Sequence, residues 1–327
     1  MDFETVDVSP AVPSQPVPEP DSALKPPVEN KAESQPKVIP WPTFLQNAKN
    51  PEIKKRFAEE VAGILERTRM LSYCVVALLE PEDSIDSSDL DRIFAGLSEL
   101  NGDRSKDVML LLLSSGGSIE PAYQISKLCK SFSSSRFVAI VPRKAKSAGT
   151  LIAIGADEIH MGPLSQLGPI DPQLDGLPAL GVSQALKTIA AVAQEFPGSA
   201  DMFARYLRMA LTVEQIGYCD RISESAVQYA VRLLSTKPKL PRKPEQVAKE
   251  LVHEYKDHGF VIDIDEARMH LGTDWIKTAT PELVAAEEIY SLFESVNFFL
   301  SFNQSKRLIM TGGATLADSI LILKKHV

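Results

Sequence analysis

The sequence predicts an α/β fold built around a parallel sheet. Strand-like and helix-like segments alternate from about residue 70 to residue 162, and this alternation favours right-handed β-α-β crossovers. Residues 107–113, DVMLLLL, form a continuous apolar run, which is typical of a parallel strand covered on both faces. Beyond residue 181 the apolar residues recur mostly at helical spacing, so we expect a mainly helical C-terminal part.

Each segment of the alternation carries the signature of its element. Residues 72–80, SYCVVALLE, are rich in apolar and β-branched side chains and predict a buried strand. Residues 84–100 show helical spacing after Ser87 or Ser88, either of which suits the N-cap of a helix. Further strands are predicted at 136–142 and 157–161, and further helices at 51–69, around 122–132, and at 147–156, 182–196, 202–219, 223–234, 245–258, 263–272 and 280–302.

Composition divides the chain into three predicted parts. Residues 1–40 hold nine of the 23 prolines and almost no aromatic residues, so they predict a disordered, proline-rich tail. A partner for this tail is not identifiable from its sequence. Residues 41–200 are expected to form the α/β core, and residues 201–327 a helical C-terminal extension.

The net charge and the cysteines indicate which binding partners and which cellular compartment to expect. The net charge of −8 disfavours nucleic acid, which binds basic surfaces. Three widely spaced cysteines without a CxxC motif indicate reduced thiols in a reducing compartment. The acidic start resembles no secretory signal, and no apolar run reaches membrane-spanning length, so we expect a cytoplasmic protein without a membrane span. No motif calls for a metal or a cofactor.

The segment SSGGS, Ser114–Ser118, stands where a buried strand turns into a helix. Gly116 and Gly117 allow the backbone to approach a ligand closely and to direct N–H groups at it, which suits an oxyanion or another anion. The alternative is a tight strand-to-helix turn without a ligand. The spacing fits neither of the common glycine-rich nucleotide motifs.

The segment RKAKSAGT, residues 143–150, places Ser147 at the equivalent joint of the next β-α unit. Loops at the carboxyl ends of neighbouring parallel strands share one crevice, so Ser147 should meet the SSGGS segment there. Ser147 is then either a nucleophile, with the N–H of Ala148 beside it, or the N-cap of the next helix. The cations Arg143, Lys144 and Lys146 either attract an acidic group or form a solvated face.

Together with GPLSQLGPIDPQ, residues 162–173, these segments resemble the Clp-type serine proteases. The resemblance covers residues 70–200 and is greatest to the serine dehydrogenase proteinase family, which is related to signal peptide peptidase A. It implies a ClpP/crotonase-like spiral of ββα units, hydrolysis of peptide bonds, and assembly into a homo-oligomer. It also implies that Ser147 is the nucleophile and that the N–H groups of Gly117 and Ala148 form the oxyanion hole, with Gly116 in support.

The proton acceptor is the open question in this resemblance. Where histidine-using relatives have their histidine, the chain has LGPIDPQ, so a Ser-His-Asp triad is not expected. His160 precedes that position and is expected to be structural. Relatives with a Ser-Lys dyad have the lysine 40 to 50 residues after the serine, and Lys187 follows Ser147 by 40. Lys187 is therefore the expected base.

Several alternatives remain open at this point. Periodicity places Lys187 off the apolar face of its helix, which equally suits an exposed lysine. Lys144 and Lys146 are other candidates for the base, and Asp171 or Asp175 could orient a catalytic group or only form a turn. The expected protein is an ATP-independent serine endopeptidase. The rival interpretations are a crotonase-type acyl-CoA enzyme and an inactive scaffold with the same fold.

Overall fold

A computed structural model describes residues 39–174 and 177–325, and within these ranges nine strands form one sheet. Its strands are β1 (Tyr73–Glu80), β2 (Asp107–Ser114), β3 (Phe137–Val141), β4 (Lys144–Ala145), β5 (Glu158–Met161), β6 (Gln166–Leu167), β9 (Ile276–Lys277), β10 (Lys306–Gly313) and β11 (Ile320–Lys324). Two short strands, β7 (Gln173–Leu174) and β8 (Leu177–Pro178), pair only with each other.

Helices flank this sheet along the whole described chain. They are α1 (Trp41–Leu45), α2 (Asn50–Arg67), α3 (Ser87–Asn101), α4 (Ile119–Phe132), α5 (Ala148–Ile154), α6 (Ala179–Glu195), α7 (Ala200–Ala210), α8 (Val213–Leu234), α9 (Pro244–Lys249), α10 (Ile264–Leu271) and α11 (Pro281–Gln304). A π-helical turn, Glu250–Glu254, continues α9. None of the helices in the described ranges is long and apolar enough to cross a membrane.

The centre of the sheet is parallel, as the sequence predicts. The strands lie in the order β11-β10-β1-β2-β3-β5-β9. The strands β1, β2, β3, β5 and β9 run parallel to one another. β10 runs antiparallel to β1, and β11 runs antiparallel to β10. The short strand β4 pairs in parallel with the last residue of β2 on one side and with β6 on the other. This small strand brings the chain to Ser147 beside the end of β2.

The central strands are buried on both faces, which explains their continuous apolar runs. In β2, Leu110 and Leu112 face a cluster that includes Ile125 of α4. Met109 and Leu111 of the same strand face the other side, where α2 and α11 supply Phe57 and Phe293 among other residues. Burying a side chain of this size contributes about 1.5–3 kcal/mol. The carboxyl ends of these strands are therefore rigidly held where the candidate site lies.

The chain after residue 200 is mainly helical, as expected, and it also contributes the strands β9, β10 and β11 to the sheet. β9 pairs with β5 and β10 pairs with β1, so residues on both sides of residue 200 build one sheet. The sequence analysis missed β10 because its apolar run is short and is followed by a glycine pair. Those glycines allow close packing, since a Cβ at Gly96 of α3 would lie 2.3 Å from the backbone N of Gly313. The predicted disordered tail, residues 1–40, lies outside the described residues except for its last two.

Candidate active site

Ser147 lies directly before α5 in a conformation that L-residues rarely adopt. Its backbone angles are φ 50° and ψ −117°, and such a position costs on the order of 1–3 kcal/mol unless the surroundings impose it. Ser147 occupies the N-cap position of α5, but its side chain makes no capping hydrogen bond. The interpretation of Ser147 as a helix cap is therefore not supported by the contact that defines a cap.

The SSGGS segment lies against Ser147, and its two glycines are required by the backbone. Gly116 and Gly117 have φ of 121° and 148°. A Cβ on Gly116 would lie 2.7 Å from the Cβ and 3.2 Å from the Oγ of Ser147, and a Cβ on Gly117 would lie 2.2 Å from the backbone N of Ile85. A side chain at Gly116 would displace Ser147, and one at Gly117 would displace the backbone at Ile85.

Hydrogen bonds fix the SSGGS segment in place. Ser114 Oγ accepts from the N–H of Gly116 at 3.1 Å, and the carbonyl of Gly116 accepts from the N–H of Ile85 at 2.9 Å. The N–H of Ser118 donates to the carbonyl of Ile85 at 2.9 Å. These bonds surround Gly117 but leave its own N–H without an acceptor among the described residues.

Ser147 opens onto a cavity of about 490 Å³. Its lining combines the backbone of Gly117 and Ala148 with polar side chains and an apolar wall from α4, α8 and the segment after β6. The polar members include Ser115, Ser118, Glu120, Gln173, Ser225 and His258, and the apolar and aromatic members include Ile119, Ile170, Tyr218, Ile222 and Tyr229. The cavity thus joins every sequence-predicted backbone donor to the predicted nucleophile.

The two predicted oxyanion donors are both available. Gly117 and Ala148 line the cavity together with Ser147. In the part of the chain that the structure describes, neither N–H donates a hydrogen bond to a backbone or side-chain acceptor. Unpaired backbone N–H groups in the same cavity as a serine hydroxyl are the kind of donor that an oxyanion hole requires.

His258, which the sequence analysis placed at the end of a helix, also lines the cavity. The helical stretch ends at Glu254, and His258 lies in a turn closed by the N–H of Phe260, which donates to the carbonyl of Asp257 at 3.0 Å. His258 Nδ1 lies 2.6 Å from Asp171 Oδ1. His258 and Asp171 are 87 residues apart in the sequence, which explains why no local motif reveals their pairing.

Asp171, which the sequence predicts as a possible supporting residue, has clear hydrogen-bond partners. Only 6% of it is exposed, and its two carboxylate oxygens are held by different residues. Oδ1 pairs with His258, and Oδ2 accepts from Gln173 Nε2 at 2.8 Å. Asp171 therefore orients an imidazole and is not merely a turn residue. Asp175, the other carboxylate considered, lies outside the described residues.

The structure does not bring Lys187 to Ser147. Lys187 is exposed on α6 and is not among the residues that line the cavity. The other two lysines near the serine are occupied elsewhere. Lys144 Nζ donates to Ser115 Oγ at 2.9 Å, and Lys146 Nζ donates to the carbonyls of Phe260 at 2.7 Å and Leu167 at 3.1 Å.

The remaining polar residues considered from the sequence have structural partners. Arg143 donates to both carboxylate oxygens of Glu287 at 2.7 and 2.8 Å, so it is not a free cation of the site. His160 is buried in β5, where Nδ1 lies 2.7 Å from Thr280 Oγ1 and Nε2 lies 3.2 Å from a Glu158 oxygen. Burial lowers the pKa of His160, which favours the neutral imidazole expected of a structural residue.

Comparison with known proteins assigns the family. A profile of the ClpP-like SDH-type serine proteinases matches residues 51–297, which are 247 of the 327 residues. The chain belongs to this family. The match spans both the SSGGS segment and Ser147, and it also includes His258. With the parallel sheet described above, it confirms the predicted ClpP-like α/β fold and a membership among serine peptidases.

Two uncharacterized proteins of Methanocaldococcus jannaschii are similar in sequence. One is 31% identical over 195 residues, which are 58% of this chain and 59% of that protein. The other is 28% identical over 134 residues, which are 41% of this chain and 44% of that protein. The matched region thus spans about three fifths of the first relative's length and less than half of the second's.

Two solved structures that align with this chain have lower sequence identity to it. A 1510-N membrane-bound stomatin-specific protease aligns with a TM-score of 0.40 and 16% identity, covering 69% of this chain and 84% of its own. ClpP1 from Listeria monocytogenes aligns with a TM-score of 0.40 and 15% identity, covering 67% and 99%.

Proposed function

We propose that this protein is an ATP-independent serine endopeptidase that cleaves peptide bonds through an acyl-enzyme on Ser147. The observation that carries the proposal is the conformation of Ser147. Its rare backbone angles hold an uncapped hydroxyl in a cavity that two unpaired N–H groups also line. Membership in the ClpP-like SDH-type serine proteinase family supports the same reaction class.

The arrangement supports each step of acyl transfer. Ser147 Oγ attacks the carbonyl carbon of the scissile peptide, and the oxygen of that carbonyl gains negative charge in the tetrahedral intermediate. The N–H groups of Gly117 and Ala148 stabilise this oxyanion, and one such donor contributes about 10²–10³ in kcat. Collapse of the intermediate expels the amine and leaves the acyl group on Ser147, and water then releases it.

The reaction also needs a base for the proton of Ser147 and an acid for the leaving amine. Sequence spacing alone favours Lys187 for the role of base. A lysine base must be neutral near pH 7, and burial is the usual cause of such a shift. The exposed position of Lys187 on α6 does not supply that burial.

Assembly and location stay predictions. A homo-oligomer is supported by the exposed apolar side chains Phe196, Met202, Tyr206 and Met209, which lie on or next to α7. Apolar patches of this kind often mark protein–protein contacts. Light scattering coupled to size-exclusion chromatography would measure a mass above 35.8 kDa if the chain assembles. A cytoplasmic location rests on the sequence alone.

Peptide cleavage without nucleotide tests the proposal. The purified protein is incubated with a mixture of fluorogenic peptides of varied sequence, with and without ATP and magnesium. We expect cleavage that ATP does not change and that Ser147→Ala abolishes. Ser225→Ala is the matched control, because Ser225 lines the same cavity but lies within α8. Absence of cleavage by folded wild-type protein, or full activity of Ser147→Ala, would reject the proposal.

A further inference from the structure

We propose that His258, oriented by Asp171, is the general base that activates Ser147. This inference rests on the proposed peptidase function and adds the residue that accepts the proton. The sequence alone does not predict a Ser-His-Asp triad, because the position where related enzymes have their histidine holds Ile170 and Asp171. In the structure the aspartate occupies that place, and the histidine comes from a distant turn.

The hydrogen bond to Asp171 determines which imidazole nitrogen is available. Nδ1 of His258 lies 2.6 Å from Asp171 Oδ1, so Nδ1 carries the hydrogen that is donated to the carboxylate. Nε2 is then the unprotonated nitrogen and can accept a proton. This division of roles between the two nitrogens is the one that serine peptidase triads use.

The carboxylate is well placed to stabilise the charged form of the imidazole. Asp171 is almost fully buried, and Gln173 Nε2 fixes its second oxygen at 2.8 Å. A buried, immobilised carboxylate favours an imidazolium that forms beside it, because little water screens the two charges. Asp171 thus holds the orientation and stabilises the charge without accepting the proton itself.

Ser147 and His258 share one cavity, and the chain links the segments that carry them. Lys146, the residue before Ser147, donates to the carbonyl of Phe260 in the His258 turn and to the carbonyl of Leu167. Leu167 and Ile262 exchange backbone hydrogen bonds of 2.9 and 3.1 Å. The chain after the His258 turn is therefore bound at Ile262 to Leu167, which shortly precedes Asp171. The turn itself is bound at Phe260 to Lys146, the residue next to Ser147.

Lys146 itself is unsuited to the role of base. Its amine donates to backbone carbonyls, and a donor whose hydrogens are so directed presents no lone pair to Ser147. Burial of its side chain lowers the pKa of Lys146, with the neighbouring Lys144 adding to this effect. A neutral Lys146 amine would still be held by its hydrogen bonds to the carbonyls of Phe260 and Leu167.

The proton balance of the step is simple. As the bond between Ser147 Oγ and the carbonyl carbon forms, the hydroxyl proton moves to His258 Nε2. The imidazolium, paired with Asp171, then gives this proton to the leaving nitrogen as the C–N bond breaks. A water molecule repeats the sequence on the acyl-enzyme, so Ser147 and His258 both return to their starting state.

Several charged groups lie near the imidazole of His258. Asp171 contacts the imidazole directly, and Asp257 precedes it in the same turn. Glu120 lines the same cavity from the start of α4, and the Lys146 ammonium lies on the carbonyl of Phe260.

The test compares His258→Ala with Lys187→Ala in the full-length protein. General acid–base catalysis contributes about 10²–10⁴-fold, so His258→Ala should lower kcat/KM by at least about 10². Added imidazole should restore part of this loss. Lys187→Ala should keep wild-type kcat/KM, since the described structure exposes that side chain on α6. Asp171→Asn should lower kcat with little change in KM, because the amide favours the wrong tautomer.

The outcomes separate this inference from the proposed function. If wild-type protein cleaves peptides and Ser147→Ala does not, but His258→Ala keeps full activity, the inference is wrong and the peptidase function stands. Loss of activity in Lys187→Ala with a wild-type rate in Asp171→Asn would also overturn the inference. If wild-type protein cleaves nothing, both fail together. Circular dichroism and urea unfolding of each variant distinguish a lost base from a lost fold.

Discussion

Substitution of Gly116 tests how closely the glycine loop positions the nucleophile. In Gly116→Ala the new Cβ would lie 2.7 Å from the Cβ of Ser147. Ordinary contacts begin at 3.4 Å, so the two groups must separate by about 0.7 Å. The backbone must also hold alanine at a φ of 121°, a strain of about 1–3 kcal/mol in this sparsely populated region. A misplacement approaching 1 Å can reduce the rate about 10²-fold.

We therefore expect Gly116→Ala to lower the free energy of unfolding by about 1–3 kcal/mol and kcat/KM by about 10². Urea unfolding and a fluorogenic peptide assay measure the two effects. Gly63→Ala is the matched control, because a Cβ at Gly63 in α2 meets nothing within 4 Å. This control should keep full activity and gain about 0.5–1 kcal/mol of stability. A Gly116→Ala protein that cleaves like wild type would refute the proposed contact.

Three further predictions concern residues around the site. Lys146→Met should loosen the His258 turn and lower kcat about tenfold while KM changes little, and an unchanged kcat would show that this contact is dispensable. Glu120 lines the cavity, so Glu120→Gln should weaken any preference for lysine or arginine near the scissile bond in a peptide library. Burial and the nearby Asp89 raise the pKa of Glu80 to about 9. Between the ordinary pKa near 4.5 and pH 9, the folded state therefore keeps a proton on Glu80 that the unfolded state releases. The stability that this proton contributes to the folded state is lost as pH rises. Urea unfolding at pH 5, 7 and 9 should show this decline in wild type and a smaller one in Glu80→Gln.

The sequence predicts the sheet and the nucleophile because both have local signatures. The apolar run of β2 and the SSGGS segment after it follow one another directly, and Ser147 repeats this arrangement one β-α unit later. The carboxyl ends of parallel strands meet by topology alone, so the cavity that joins Gly117 to Ser147 could be anticipated. The strand β10 could not, since its partner β1 lies more than 200 residues away.

The pairing of His258 with Asp171 lies beyond sequence reasoning for a similar reason. Asp171 was identified as a residue that could orient a group, but the partner that it orients comes from a turn after α9. From the sequence a helix is predicted at residues 245–258, after a proline-rich loop, and this range includes His258. The helical stretch ends four residues earlier, and long-range contacts of Lys146 determine the path that follows.

The most direct test of the central claim is covalent labelling of Ser147. Wild-type protein is treated with a fluorophosphonate, and the modified residue is located by tandem mass spectrometry. We expect one adduct, on Ser147, that is absent from Ser147→Ala and unchanged in Ser225→Ala. A folded wild-type protein that forms no adduct, or that is modified on another serine of the cavity, would contradict the assignment of Ser147 as the nucleophile.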